Sequence, residues 1–145
     1  PIIYKKDYDF EIGKAIKLRE GNNVTIFCSG AMVYNSLKAA EKLDEDNISC
    51  EVVNVHTIKP LDNNAIDEAA KNYKLLVSVE EHNIIGGLGS AISERLTDTK
   101  NSPKLLRIGI KDEYSKGGSY DFLKEKHGLS VDKIVNNISS NLKKE

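Results

Sequence analysis

The segment formed by residues 74–94 constrains the fold most, because three kinds of sequence signal follow one another in it. An apolar run at residues 75–79 is typical of a buried strand, and it breaks off at the polar residues 80–82. Glycines at positions 86, 87 and 89 then indicate a turn, and apolar residues spaced along 88–96 indicate an amphipathic helix. The segment is therefore predicted to form a strand, a loop and a helix.

The rest of the chain continues this alternation of strands and amphipathic helices. Residues 14–18 alternate between polar and apolar side chains, and turn residues at 20–23 separate them from the apolar run 24–28, so a short hairpin is predicted. Two further strands are predicted at residues 51–58 and 105–110, where β-branched and apolar residues dominate. The sequence thus predicts about five strands, of which one is an antiparallel edge strand.

Helices are predicted between these strands and after the last one. The first crossover helix follows Gly30, and Asp62 is placed to cap the second. A short helix is bounded by Ser119 and Gly128, and Ser130 is placed to cap a final helix with a clean apolar stripe. Strands that alternate with such helices predict a three-layer α/β/α domain with a mostly parallel sheet and right-handed crossovers.

Length and charge narrow the range of functions. A chain of 145 residues fits one domain, and a net charge of -1 with interspersed signs offers no surface for nucleic acid or an acidic membrane. No apolar run approaches the roughly 20 residues needed to cross a bilayer, and the amino terminus lacks a signal-peptide pattern, so we expect a soluble, cytoplasmic protein. Cys28 and Cys50 lack metal-ligand spacing and are expected to be buried, reduced thiols.

The sequence contains three histidines, and one of them belongs to a candidate acid/base group. His82 follows Glu80 and Glu81, and a carboxylate beside an imidazole can act in acid/base catalysis. Neighbours in a strand point to opposite faces, however, so a polar strand end that meets a partner or caps the loop is favoured. His56 is expected to be a hydrogen-bonded structural residue inside its strand, and His127 precedes a helix stop, where a cation suits the helix dipole.

The glycine-rich turn exposes backbone amides at a helix start, an arrangement that can bind an anion on the amides of residues 85–90. It lacks the full glycine pattern of dinucleotide sites and the Lys and Ser/Thr of a P-loop. A tight turn that lets a neighbouring chain approach closely is therefore favoured. The spacings contain no Ser-His-Asp triad, no Cys-His nucleophile pair and no metal cluster, so neither a catalytic nor a metal site is predicted.

Three stretches resemble one enzyme family. They are EEHNIIGGLGSAISE at residues 80–94, VVNVHTIKPLD at residues 52–62 and KAIKLREGNNVTIFCSG at residues 14–30. Together they resemble the carboxy-terminal domain of transketolase, in particular the smaller chain of two-subunit bacterial and archaeal transketolases, over nearly the whole sequence. One segment departs from the family: where related chains commonly read Phe-Gly-Glu-Ser-Gly, residues 114–118 read Tyr-Ser-Lys-Gly-Gly, so an acidic position has become basic.

The resemblance implies a non-catalytic part of a pentose phosphate pathway enzyme that transfers two-carbon ketol units between sugar phosphates. It also implies that thiamine diphosphate and its divalent metal, magnesium or calcium, are held by two preceding domains, whose Gly-Asp-Gly and Asn-Asn signature is missing here. The isolated chain is expected to bind no cofactor and to be inactive. Residues 1–13 resemble a linker from a preceding pyrimidine-binding domain, and residues 14–145 would form the carboxy-terminal domain. A first residue of proline instead of methionine suggests a piece of a longer polypeptide.

Other interpretations remain open. The equivalent domain of deoxyxylulose phosphate synthase or of an oxo-acid dehydrogenase beta chain shares the Lys-Pro-Leu-Asp and Gly-Gly-x-Gly features. Glu-Glu-His before the loop and His-Gly-Leu-Ser at residues 127–130 resemble transketolase more. A stand-alone module that binds a nucleotide or acyl phosphate at the glycine loop is a further alternative, and so is an interaction domain without any ligand.

An apolar pair before the glycines predicts an interface. Ile84 and Ile85 lie between polar residues and the turn, so at least one of them is expected to point away from the core. A partner is the natural cover for such a side chain, and the glycines would permit close approach across a two-fold axis. We therefore predict a homodimer with its contact at or beside residues 82–89. The predicted members are His82, Ile84, Ile85, Gly86, Gly87 and Gly89.

Overall fold

A computed structural model describes residues 1–4 and 7–143. Within these residues, five strands and five helices form the predicted alternation. The strands are β1 (Ile16–Arg19), β2 (Val24–Cys28), β3 (Cys50–Asn54), β4 (Leu75–Asn83) and β5 (Lys104–Ile110). The helices are α1 (Met32–Glu45), α2 (Asn63–Asn72), α3 (Leu88–Thr97), α4 (Tyr120–Lys126) and α5 (Val131–Leu142). In this described part of the chain, every helix is too short or too polar to cross a membrane.

The strands form one sheet in the order β1-β3-β2-β4-β5. Strands β3, β2, β4 and β5 are parallel, and β1 runs antiparallel to β3 at one edge, which confirms the predicted fold class. The predicted hairpin between the first two strands is wrong. Because β2 has β3 on one side and β4 on the other, it has no free edge for β1. The turn after β1 instead crosses the start of β3, where the Asn23 amide donates to the Ser49 carbonyl oxygen (2.9 Å).

The core has two layers because alternate side chains of each buried strand point to opposite faces. On one face, Ile26 and Val77 belong to a cluster that includes the apolar sides of α1 and α5. On the other face, Phe27 and Leu76 belong to a cluster with α2 and α3. The sheet is therefore covered on both faces, as the three-layer prediction requires.

The helix boundaries follow the predicted caps with one exception. The Asp62 carboxylate accepts a hydrogen bond from the Ala65 amide (3.2 Å) and begins α2. The Ser119 hydroxyl accepts from an amide in the first turn of α4 (3.3 Å). Ser130 precedes α5 as predicted, but its hydroxyl donates to the Glu125 carboxylate (2.5 Å) and makes no cap bond to α5.

The strand ends at the carboxyl edge of the sheet differ from the prediction. Strand β4 continues through the polar residues 80–82 to Asn83, which pairs with Ile110 after a bulge in the register. The predicted end of this strand, at the polar residues, is therefore too early. Strand β3 stops at Asn54, well before the predicted residue 58, because its partners β1 and β2 both end their pairing there.

Candidate functional site: the loop between β4 and α3

The β4–α3 loop, residues 84–87, leaves the sheet at its carboxyl edge and is held by hydrogen bonds from both sides. The Asn83 side-chain oxygen accepts from the Ile85 amide (2.8 Å). The Ser90 hydroxyl accepts from the Gly86 amide (2.9 Å). Side chains at the end of the strand and in the first turn of the helix thus hold the loop backbone in one shape.

Ile84 and Ile85 point in different directions. Ile84 is half-buried against Gly109 of β5, where an added Cβ would lie 2.9 Å from Ile84 Cγ2. Its carbonyl oxygen accepts from the Ser90 hydroxyl (3.0 Å) and from the Arg107 guanidinium (3.1 Å). Ile85 is 63% exposed. The expectation that at least one of the pair leaves the core is confirmed, and Ile85 is that residue.

Glu80 closes the amino end of α3 from inside the fold. Its side chain is only 2% exposed, and its carboxylate accepts from the amides of Leu88 (2.6 Å) and Gly89 (2.8 Å). A carboxylate in this position satisfies free helix amides and complements the helix dipole. The interpretation that the polar strand end caps the loop is confirmed.

The same bonds weigh against an anion site in the loop. Four of the six amides in residues 85–90 have acceptors within the chain. The Glu80 carboxylate stands where the glycine pattern suggested a bound anion, and its negative charge would repel one. The geometry therefore disfavours the alternative of a nucleotide or acyl-phosphate module built on this loop.

The glycines of the loop have different roles. An added Cβ at Gly87 would clash with the Glu80 carboxylate, and one at Gly89 would lie 2.6 Å from Ser78 Oγ. Both glycines are buried, so the packing of the chain itself requires them. The sequence predicts all three glycines at a partner contact and does not predict this internal role. Gly86 is exposed, has a φ of 80° and would meet nothing within 4 Å, so it alone of the three presents open backbone to the surface.

Glu81 and His82 are exposed and form no acid/base group with the buried Glu80. The Glu81 carboxylate accepts from the Tyr120 hydroxyl (2.8 Å), which connects β4 to α4. His82 Nδ1 lies 2.9 Å from the Asn83 carbonyl oxygen. Glu80 and Glu81 thus contact different helices, α3 and α4, as expected for strand neighbours that point to opposite faces.

The amino-terminal segment covers the carboxyl end of β3. The Asn54 side-chain amide donates to the Tyr4 hydroxyl (2.8 Å), and the Phe10 ring packs on the His56 ring with centroids 4.4 Å apart. His56 Nδ1 also bonds the Thr57 hydroxyl (2.8 Å). His56 is therefore a hydrogen-bonded structural residue as predicted, although it follows the strand. Part of the edge where open parallel sheets commonly bind ligands is thus occupied by the chain itself.

His127 lies at the carboxyl end of α4, as the helix stop predicts, and Gly128 follows with a φ of 76°. The His127 side chain is 5% exposed. Its Nε2 bonds the Ser115 hydroxyl (2.9 Å), and its Nδ1 lies 3.7 Å from the Glu113 carboxylate. The segment that departs from the family, residues 114–118, forms the exposed loop in front of this ring.

The cysteines and carboxylates do not form a metal site in the described structure. Cys28 and Cys50 are buried and free, as predicted, and burial raises the pKa of each thiol to about 12. Across residues 1–4 and 7–143, no three His, Cys, Asp or Glu side chains are grouped to hold a metal ion. The buried carboxylate of Glu80 is already bound to two amides.

Three residues that shape the loop are not predicted by the sequence analysis. Ser90 and Arg107 bind its backbone, and Gly109 makes room for Ile84 and Glu80. A glycine inside an apolar strand pattern indicates close approach of another segment, so Gly109 carried a usable signal. No comparable signal marks Arg107, because its partner is the backbone oxygen of Ile84, distant in the sequence. Ser90 bonds backbone atoms only four and six residues away, but the irregular shape of the loop that brings them to its hydroxyl follows no sequence period.

Comparisons with known proteins agree with this fold. The family model for the transketolase C-terminal domain matches residues 13–134. The 6-deoxy-6-sulfo-D-fructose transketolase subunit SqwH of Clostridium sp. (strain MSTE9) is 45% identical over 127 residues, which cover 88% of this chain and 39% of that protein. A putative transketolase C-terminal section of Methanocaldococcus jannaschii is 41% identical over 146 residues, covering 99% of this chain and 45% of that protein. The 1-deoxy-D-xylulose-5-phosphate synthase of Dictyoglomus thermophilum is 39% identical over 130 residues, which cover 90% of this chain and 21% of that protein. The chain thus spans less than half the length of these relatives.

A solved structure agrees over the whole domain. One solved structure is a split gene transketolase whose description reads "inactive beta4 tetramer". It superposes with a TM-score of 0.87 at 34% identity and covers 97% of this chain and 45% of that chain. The family-model match and the shared fold agree, and the chain belongs to the transketolase C-terminal domain family.

Proposed function

We propose that the chain is the non-catalytic carboxy-terminal domain of a transketolase and serves dimer assembly and structural support. The proposal is supported by relatives that carry transketolase names and of which this chain covers less than half. The parent enzyme would transfer two-carbon ketol units between sugar phosphates in the cytoplasm, as part of the pentose phosphate pathway. Residues 1–13 would be its linker from a preceding domain.

The observation that carries the assembly role is the exposed Ile85 on a loop that the chain itself holds in place. Complete burial of such a side chain is worth about 1.5–3 kcal/mol. Because the loop is already ordered, little conformational entropy is lost when a partner covers it. Gly86 beside it has no side chain to keep a partner backbone away.

The partner that fits this surface best is a second copy of the chain. A two-fold contact uses the same patch on both subunits, so one exposed Ile85 would cover another. The split gene transketolase, 45% of whose chain matches this one, is described as an inactive beta4 tetramer, which is a precedent for self-association. Of the predicted interface residues, His82, Ile85 and Gly86 would form the contact. Ile84, Gly87 and Gly89 would support it from beneath.

Thiamine diphosphate and its divalent metal, magnesium or calcium, would be held outside this chain. The Gly-Asp-Gly signature is absent from the sequence, and Asn22 and Asn23 lie in the turn over β3. The residues described here therefore do not fit the cofactor, and no step of ketol transfer is assigned to them.

Calorimetric titration of the chain with thiamine diphosphate and magnesium, together with a ketol-transfer assay, tests this separation of roles. We expect no saturable heat and no turnover above the blank. The Gly-Asp-Gly signature of the diphosphate site is absent from the sequence, and no three His, Cys, Asp or Glu side chains are grouped for a metal in residues 1–4 and 7–143. Saturable binding or measurable turnover by the chain alone would contradict the proposal.

A second candidate is the equivalent domain of a 1-deoxy-D-xylulose-5-phosphate synthase, since such an enzyme is 39% identical. The length of the parent polypeptide separates the two candidates. The chain covers 45% of the archaeal transketolase section but 21% of the synthase. A parent roughly twice the length of this chain would support the split transketolase, and one roughly five times its length would support the synthase.

A further inference from the structure

A small basic cleft lies between the end of β5 and the junction of α4 with α5, and its volume is about 240 Å³. Its walls carry three cationic side chains, Arg107, Lys111 and Lys126, and one carboxylate, Glu113. Among the residues that the structure describes, none of these three cations forms an ion pair. These four groups leave an excess of two positive charges at neutral pH, although the chain as a whole has a net charge of -1.

Arg107 lines the cleft, and a hydrogen bond holds its guanidinium in position at the edge of the sheet. One of its nitrogens donates to the Ile84 carbonyl oxygen (3.1 Å). The remaining donors of the planar group are available in a fixed orientation, and such a group matches two oxygens of a phosphate.

A buried ring nitrogen in the cleft lacks a hydrogen-bond partner. His127 lines the cleft with a side chain that is 5% exposed, and its Nδ1 makes no hydrogen bond within the described residues. The neighbouring Glu113 carboxylate stays 3.7 Å away, beyond hydrogen-bond distance. Buried polar groups of this kind normally have a partner, and a ligand oxygen would supply one.

We propose that the basic cleft binds a small phosphate monoester. A phosphate monoester carries close to two negative charges at neutral pH, which matches the excess charge of the walls. Pockets for drug-sized ligands start at about 300 Å³, so the cleft suits a small metabolite better than a nucleotide cofactor. This site goes beyond the proposed assembly role and does not depend on it.

Titration of the ¹⁵N-labelled chain with glycerol 3-phosphate at constant ionic strength tests the site by NMR. We expect saturable shifts of the Gly109 and Gly128 amide signals, which belong to the cleft, and none at Gly21, which packs against the start of β3. Glycerol should cause no shifts. Binding of glycerol 3-phosphate at least as tight as that of inorganic phosphate supports a monoester, and binding of inorganic phosphate alone would overturn it.

Two double variants that remove the same charge test whether the lysines of the cleft bind the phosphate. Lys111→Gln with Lys126→Gln should weaken binding about tenfold or more, because two exposed cations are removed from beside a dianion. Lys100→Gln with Lys104→Gln removes the same charge from exposed positions outside the cleft and should change the affinity by less than about twofold. Equal weakening in both variants, or the absence of any saturable shift in the unmodified chain, would overturn the proposal.

Discussion

At the scale of single residues, Glu80 is the side chain on which the β4–α3 loop depends most. It is a buried carboxylate without a cationic partner among the described residues, and two amides of α3 compensate for its burial. Such an arrangement is stable only while both bonds are intact, because a buried polar group that loses its partner carries the full cost of desolvation. The residue thereby connects the end of the strand to the start of the helix.

Replacing Glu80→Gln should lower the free energy of unfolding by about 2 kcal/mol, because the side-chain NH₂ group would face an amide that needs an acceptor. Urea denaturation followed by circular dichroism measures the loss. The exposed neighbour provides the control: Glu81→Gln keeps an oxygen for the Tyr120 hydroxyl and should change stability by less than about 0.5 kcal/mol. Equal effects of the two substitutions would show that the cap contributes nothing.

The two buried thiols should be unreactive in the folded chain. Burial raises the pKa of Cys28 and Cys50 to about 12, so few thiolates form at mildly alkaline pH. A thiol-specific chromophoric reagent should react with them only as the chain unfolds, and in urea it should react with both at once. Rapid labelling of either thiol in the native chain would contradict this burial.

The same pKa shifts predict how stability changes with pH. An unfolded cysteine has a pKa of about 8.5, so the unfolded chain releases its thiol protons before the folded chain does. The free energy of unfolding should therefore fall as pH rises from about 8.5 towards the folded values. The variant Cys28→Ala with Cys50→Ala should lack this part of the decline in urea midpoints, and an unchanged decline would assign it to other groups.

At the scale of elements, the contact between α3 and the sheet depends on the absence of a side chain at Gly89. An added Cβ would lie 2.6 Å from Ser78 Oγ and 2.9 Å from Arg107 Cδ. Gly89→Ala should therefore destabilise the chain by about 1–3 kcal/mol in thermal unfolding. Gly117 meets nothing within 4 Å, and Gly117→Ala should leave stability unchanged or raise it by up to about 1 kcal/mol. Similar melting temperatures for the two variants would contradict this view of the helix contact.

Elements with a local signal were predictable, and pairings over long distances were not. The Asp62 and Ser119 caps, the apolar helix faces and the strand at residues 105–110 all depend on neighbours in sequence. The prediction of a hairpin was wrong because β3 lies between β1 and β2 in the sheet. The position of β3 follows from the crossover through α1. The end of β4 was placed too early because polar residues commonly end strands, whereas Glu80 stays buried through a contact with another element.

The candidate site was predictable to a similar extent. An exposed isoleucine and a capping carboxylate follow from the pattern of residues 80–89. The requirement for glycine at positions 87 and 89 was not predictable in this way. A side chain there would clash with Glu80 or Ser78, and only the folded structure brings these residues close to the two glycines.

At the scale of the whole molecule, the chain covers part of its own carboxyl edge and exposes a fixed apolar loop beside it. Tyr4 and Phe10 occupy the end of β3, and Glu80 occupies the amides of α3. What remains open at the β4–α3 loop is Ile85 with the bare backbone of Gly86, which suits contact with another chain. This distribution supports the proposed role of the domain in assembly.

Sedimentation velocity over a range of concentrations tests this central claim most directly, with Ile85→Asp compared to a matched substitution elsewhere. The wild-type chain should self-associate, and Ile85→Asp should weaken the association about tenfold or more while circular dichroism stays unchanged. Ile2→Asp makes the same chemical change at another exposed isoleucine and should associate like the wild type. A wild-type chain that stays monomeric at every concentration, or an Ile85→Asp variant that associates as well as Ile2→Asp, would contradict the assembly role of the loop.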